Sequence, residues 1–142
     1  DASDLRSDWG RAPFPAHNLS GTVNARMPFG VFLTGSVSTN TGRYYTITTG
    51  LDDNRDGYVN DRPPGMRRNS QRGPKYLNVD FNVSKAFFLG GGRNVNAFAN
   101  VTNAFNRVHL GTPSGVLTSP NFGRSTSAQN PREIEAGIRF QF

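Results

Sequence analysis

Five stretches of the chain place apolar and polar residues in alternation. Between His17 and Met27 the odd positions hold Leu19, Gly21, Val23 and Ala25, and the even ones Asn18, Ser20, Thr22, Asn24 and Arg26. The pattern resumes at Val31, with Leu33, Gly35 and Val37 set against Thr34, Ser36, Ser38 and Asn40, and Phe32 as an exception on the polar side. In the stretch 75–87, Leu77, Val79, Phe81, Val83 and Phe87 alternate with Asn78, Asp80, Asn82 and Ser84. Beyond Leu89 and three glycines, Val95, Ala97, Ala99 and Val101 alternate with Asn94, Asn96, Asn100 and Thr102, with Phe98 on the polar side. The stretch 132–142 sets Ile134, Ala136, Ile138, Phe140 and Phe142 against Glu133, Glu135, Arg139 and Gln141. A period of two marks a strand with one apolar and one polar face. The chain therefore reads as all-β, an antiparallel meander of about five long strands.

Strand length separates two kinds of sheet. Each stretch runs about 10 to 13 residues, against about 5 or 6 in soluble sheets and about 9 to 11 in strands that cross a bilayer. The connections agree, because short links at 28–30 and 89–93 alternate with long loops at about 41–74 and 106–131. Short turns on one side and long loops on the other are the pattern of an outer-membrane barrel. Residues 1–16 read as an extended amino-terminal segment ahead of a sheet that fills 17–142. With the short turns facing the periplasm, Phe142 falls at the periplasmic rim. Five strands leave two hydrogen-bonding edges bare, which lipid does not tolerate. The expectation is part of a larger outer-membrane β-barrel, or a sheet completed by further copies of the chain; the alternative is a sheet that never enters lipid, a soluble barrel or sandwich with its apolar positions turned inward.

Composition narrows the function classes. The 142 residues include 16 glycines and 9 prolines, which favour turns and strands, and no cysteine, which removes disulfides and thiolate metal sites. The net charge of +6 concentrates in Arg62, Arg67, Arg68, Arg72 and Lys75. Such a basic loop is either simply solvated or a contact for lipid phosphate, an anionic ligand or acidic neighbouring loops. No nucleic-acid motif accompanies it, so no nucleic-acid partner is expected. The two histidines, His17 and His109, lack ligand spacing and read as surface or interface residues. No serine lies in a nucleophile turn. The chain reads as non-enzymatic, with no catalytic residue.

One stretch carries candidate chemistry of its own. In "LDDNRDGYVNDRPPG", residues 51–65, the side chains of Asp52, Asn54 and Asp56, the Tyr58 carbonyl and Asn60 fall at the alternate positions from which oxygens converge on a hard cation, with Gly57 permitting the bend. The twelfth position, where an EF-hand keeps a bidentate glutamate, is Pro63. Asp61 is the nearest substitute, so the expected site is weaker and closed differently. "RYYTITTG" before the loop and "RPPG" after it are not helical, which puts the site at the tip of a hairpin. The plain alternative is a series of turns in which Asp and Asn side chains bond nearby backbone. A Ca2+ ion here would stiffen a loop and take no part in chemistry.

The segments "TGLDDNRDGYVNDRPPGMRRNSQRGPKYLNVDFNVSKAF", "NAFANVTNAFNRV" and "GVLTSPNFGRSTSAQNPREIEAGIRFQF" together resemble the carboxy-terminal strands of TonB-dependent receptor-like outer-membrane proteins, in particular those with a carboxypeptidase-regulatory-like amino-terminal domain. The resemblance covers nearly the whole chain from about Gly42. It implies a barrel of about 22 strands plugged by an amino-terminal domain, moving a bulky ligand across the bacterial outer membrane with energy from TonB. Neither plug nor TonB box is found in these residues. Phe140 and Phe142 match the closing aromatic that, by the same resemblance, the barrel assembly machinery recognises. Expected partners are outer-membrane lipid, that machinery, and the remainder of a larger barrel or copies of the chain. The rival reading is extracellular: a secreted structural subunit joined into a fibre or ring by strand addition.

Overall fold

The computed structural model describes residues 8–142, so the first seven residues of the extended segment expected at 1–16 lie outside the described part. The strands are β1 (Asn18–Arg26), β2 (Val31–Asn40), β3 (Tyr44–Tyr45), β4 (Gln71–Arg72), β5 (Tyr76–Gly90), β6 (Arg93–Thr102) and β7 (Glu133–Gln141). The five long strands lie where the alternation predicted them. They form one antiparallel sheet in the order β1-β2-β5-β6-β7, open at β1 and β7. The short pair β3-β4 forms a second sheet, which the sequence did not announce because two residues carry no periodicity.

By contacts the chain divides into two compact units. One comprises Leu19–Thr39, Leu77–Val108 and Asn130–Phe142, and holds the long sheet. Its registers put like with like: Phe81, Val101 and Ile134 share a row, as do Phe87, Val95 and Phe140. Gly35 lies under the Phe81 ring and Gly21 beside Val37, so β1 and β2 turn their apolar positions to the same side. On the other face the rows are polar. Asn82 donates to Asn100, which donates to Glu135, and Asn94 donates to Gln141.

Among the described residues none covers the outer strands of the apolar face. Leu19, Val23, Ile134, Ile138 and Phe140 are each about two-thirds exposed, and among the described residues no large side chain is fully buried. An apolar patch spanning five strands would drive association in water. In hydrocarbon the same face meets its proper solvent, while on the far side Asn82, Asn94 and Asn100 bond to neighbouring polar side chains and Asn96 Oδ1 is left without a partner among the described residues.

The short turns lie at one end of the sheet. Gly90, Gly91 and Gly92 all take positive φ (81°, 60°, 77°), a run that only glycine tolerates without strain. A register shift between Phe88 and Gly90 absorbs one extra residue there. Phe98, the exception on the polar side, faces Gly137 directly, and a β-carbon at Gly137 would stand 2.6 Å from the Phe98 ring tip. The glycine thus makes room for the ring. Gly137→Ala is expected to cost about 1 to 3 kcal/mol by overpacking, and Phe98→Ala in the same chain to recover most of that. A double-mutant cycle in urea unfolding measures the coupling.

The other unit comprises Asp1–Asn18, Asn40–Tyr76 and His109–Gln129. It is held by crossing extended segments: Thr48 bridges Val116, Ser114 bridges Phe122 and Leu110 bridges Ala128. Gly115 allows the closest of these approaches, since a β-carbon there would collide with the Thr46 carbonyl at 2.1 Å. Tyr44 and Ile47 are its buried apolar side chains.

Candidate functional site

Within that second unit, the acidic loop folds on its own side chains. Asp52 accepts hydrogen bonds from the backbone N–H groups of Asp56 and Gly57 (both 3.0 Å), and Asn54 Oδ1 also accepts from Asp56 N–H (2.9 Å). Asp56 Oδ1 accepts from Tyr58 N–H (2.9 Å), and its other oxygen accepts from the Asn54 amide (3.0 Å). Asp61 Oδ2 closes the far side, accepting from the N–H groups of Asp53 (2.6 Å) and Asn54 (3.0 Å). These are turns made by short polar side chains. The Asp52 and Asn54 oxygens converge on one amide, and each keeps a lone pair beyond the one used there. Among the described residues no three acidic, histidine or cysteine side chains gather as a metal cluster. The oxygen donors suit a hard cation but supply no cage of carboxylates.

The hydrogen bond from Tyr58 N–H, followed by that from the Asn54 amide, holds the Asp56 carboxyl below the usual carboxylate range. A lowered folded value contributes stability above the unfolded pKa, and that contribution is lost as pH falls through the folded one. The Tyr58 amide, which donates to Asp56, should therefore keep constant exchange protection from neutrality to about pH 5 and lose it below about pH 4. Hydrogen exchange followed by pH checks this; Asp56→Asn should remove the acid transition while retaining much of the turn.

The basic residues divide by what they touch. Arg62 pairs with Asp8 at 2.9 Å, and that bond holds the Asp8 carboxyl below its ordinary value. Arg72 donates to the Tyr44 hydroxyl at 2.6 Å and lies over its ring at 5.1 Å, with Arg11 also over the ring at 4.9 Å. The Arg72 hydrogen bond favours the phenolate and lowers the Tyr44 pKa. Arg67 and Arg68 line a cleft of roughly 840 Å³, joined by Asn54, Asp56, Asn60 and Asp61. Lys75 sits between β4 and β5. Arg72 thus serves the packing of this unit, whereas Arg67 and Arg68 face the same cleft as the acidic loop.

Three buried polar residues were not singled out by pattern. Asn69, with φ 53°, is 6% exposed; it exchanges hydrogen bonds with Thr46 and donates to the Arg11 carbonyl. His109 is 5% exposed, its ring tilted against that of Tyr76 with centroids 4.5 Å apart, so of the surface or interface positions expected it takes a packed one. Asn103 is buried where β6 ends. The available signal was composition: asparagine at sharp reversals, where αL geometry favours it.

In the sheet unit, Thr34, Ser36, Asp80, Asn82, Asn100 and Glu135 line a polar hollow of about 370 Å³ on the asparagine face. Phe140 stands on the opposite, apolar face, and Phe142 projects fully exposed beyond the end of β7.

An open antiparallel sheet with one lipid-compatible face, one polar face, short turns at one end and long loops at the other defines an outer-membrane barrel wall. A family model for an outer membrane beta barrel domain matches residues 64–135, just over half of the chain, and the chain belongs to that family. It is a protein of the bacterial outer membrane. No curated protein and no solved structure matches it. The matched range includes β4, β5 and β6 and leaves out the acidic loop.

Proposed function

We propose that the chain is the carboxy-terminal barrel wall of a TonB-dependent receptor-like transporter, non-enzymatic, with the loop at 52–61 stiffened by calcium. The observation that carries the reading is the open sheet itself: its apolar face needs lipid and its two bare edges need more strands. Copies of this sheet or the remainder of a large barrel satisfy those edges, and a receptor barrel of about 22 strands also explains long loops on one side. Outer-membrane lipid and the barrel assembly machinery are the partners that follow, the latter through Phe140 and Phe142.

Copurification of the full-length protein with the periplasmic domain of TonB tests the receptor reading. Ligand-dependent retention is the expected result; no retention under any condition would leave a barrel that works without TonB. The calcium reading has a separate test, because Tyr58 can sensitise terbium luminescence when the ion occupies the loop. Terbium emission displaced by calcium, and lost in Asp52→Asn/Asp56→Asn, is expected. If emission is absent, or survives those substitutions, the loop is a set of turns and nothing more.

A further inference from the structure

We propose that Lys85, together with Arg93, binds the phosphate of a phospholipid headgroup in the leaflet at the short-turn end of the sheet; this rests on the outer-membrane barrel assignment. The apolar face of the five strands carries charge at two positions only among the described residues. One is Lys85, in a row with Ala97 and Ile138; the other is Arg93, which opens β6 opposite Gly90. Every strand carboxylate, at Asp80, Glu133 and Glu135, lies on the polar face, so no strand carboxylate among the described residues shares the side of the sheet that carries these two cations.

A cation left in hydrocarbon is costly, and the side chain shows how the cost is avoided. Between Lys85 and Arg93 lies the row Phe87, Val95, Phe140, two residues closer to the turn than Lys85 and about 6 to 7 Å further along. The Lys85 ammonium lies 4.9 Å from the Phe87 ring centroid. Its stem therefore runs along the apolar face towards the turn and delivers the charge at the level of the aromatic row. Aromatic rings of this kind mark the depth of the headgroups in barrel proteins. Phe29, Phe88 and Leu89, all strongly exposed, lie at the same end.

The two cations thus approach one aromatic row from either side, on adjacent strands, at a depth where lipid phosphates lie. Short turns face the periplasm in such barrels, which makes the leaflet the phospholipid one and not that of lipopolysaccharide. A single anionic phosphate oxygen group complements both charges. The inward-facing Arg139 is excluded by its position on the polar face.

The test uses the full-length protein in detergent, offered equal amounts of phosphatidylglycerol and an uncharged galactosyl diacylglycerol, with bound lipid read by native mass spectrometry. Preference for phosphatidylglycerol is expected to fall about five-fold in Lys85→Gln and further in Lys85→Gln/Arg93→Gln, while Lys85→Arg keeps it. Raised salt should weaken it in the parent protein. An unchanged preference in both glutamine variants would overturn the proposal, and stronger Lys85-dependent retention of lipid A would overturn the assignment to the phospholipid leaflet. Fluorescence of a bimane label on Ile138→Cys, quenched by spin-labelled acyl chains, keeps the barrel assignment standing in either case. Without that quenching, the barrel assignment itself has failed.

Discussion

Val83→Arg is expected to destabilise the protein in lipid by about 2 to 4 kcal/mol, the range for arginine on a lipid-facing strand near the bilayer centre. Val83 shares a row with Ala99 and Ala136 on the apolar face, two rows inside the aromatic row. Its guanidinium would be too far from either end of the strand to reach headgroups at little cost. Ser84→Arg, one residue along and on the polar face, is expected to change stability by well under 1 kcal/mol, because surface substitutions into a wet environment seldom do more. Urea unfolding in phospholipid vesicles, followed by circular dichroism, measures both. Equal losses would mean that the two faces share one solvent, which the outer-membrane assignment forbids.

The second large effect belongs to Asn103. It is 3% exposed and holds φ 51°. Its backbone N–H donates to Asp80 Oδ1 (2.9 Å), its side-chain oxygen accepts from Arg107 N–H (2.9 Å), and its amide donates to the carbonyls of Arg107 (2.9 Å) and Asn130 (3.4 Å). Asn106 completes the knot by accepting from Arg132 N–H (3.0 Å). The two asparagines tie the departure of the 106–131 loop from β6 to its return into β7. Asn103→Ala removes the side chain from three part-buried hydrogen bonds, with the Arg107 N–H and the Arg107 and Asn130 carbonyls, and leaves αL geometry without the side chain that compensates it. A loss of about 2 to 4 kcal/mol is expected. Asn103→Gly relieves the backbone term alone and should be milder by about 1 kcal/mol. The same unfolding measurement separates the two contributions.

The knot also shows where pattern reading stops. "NAFNR" is visible in the sequence as a motif and forms part of the resemblance to receptor barrels. That Asn103 reaches a carbonyl 27 residues away is a consequence of β6 and β7 being neighbours, and no local rule gives it. The same holds for His109, read as a surface or interface residue, whose ring is buried against Tyr76. Arg72 looked like one charge in a solvated cluster; its partner Tyr44 became visible only when β3 paired with β4. Lys85 is a single polar residue among the apolar positions of an alternating stretch, and only its neighbours across the sheet give it meaning.

Alternation along the chain by itself determined the five long strands, their two faces and the openness of the sheet, because side chains of a strand point to opposite sides residue by residue, and that geometry is local. Loop lengths, also local, determined which end carries the turns. Only the tertiary structure decided which polar residues meet across strands, which arginines are spent on packing, and where the ammonium of Lys85 comes to rest. Those outcomes depend on pairings between segments tens of residues apart, and a sequence fixes them only through the register and closure that folding supplies.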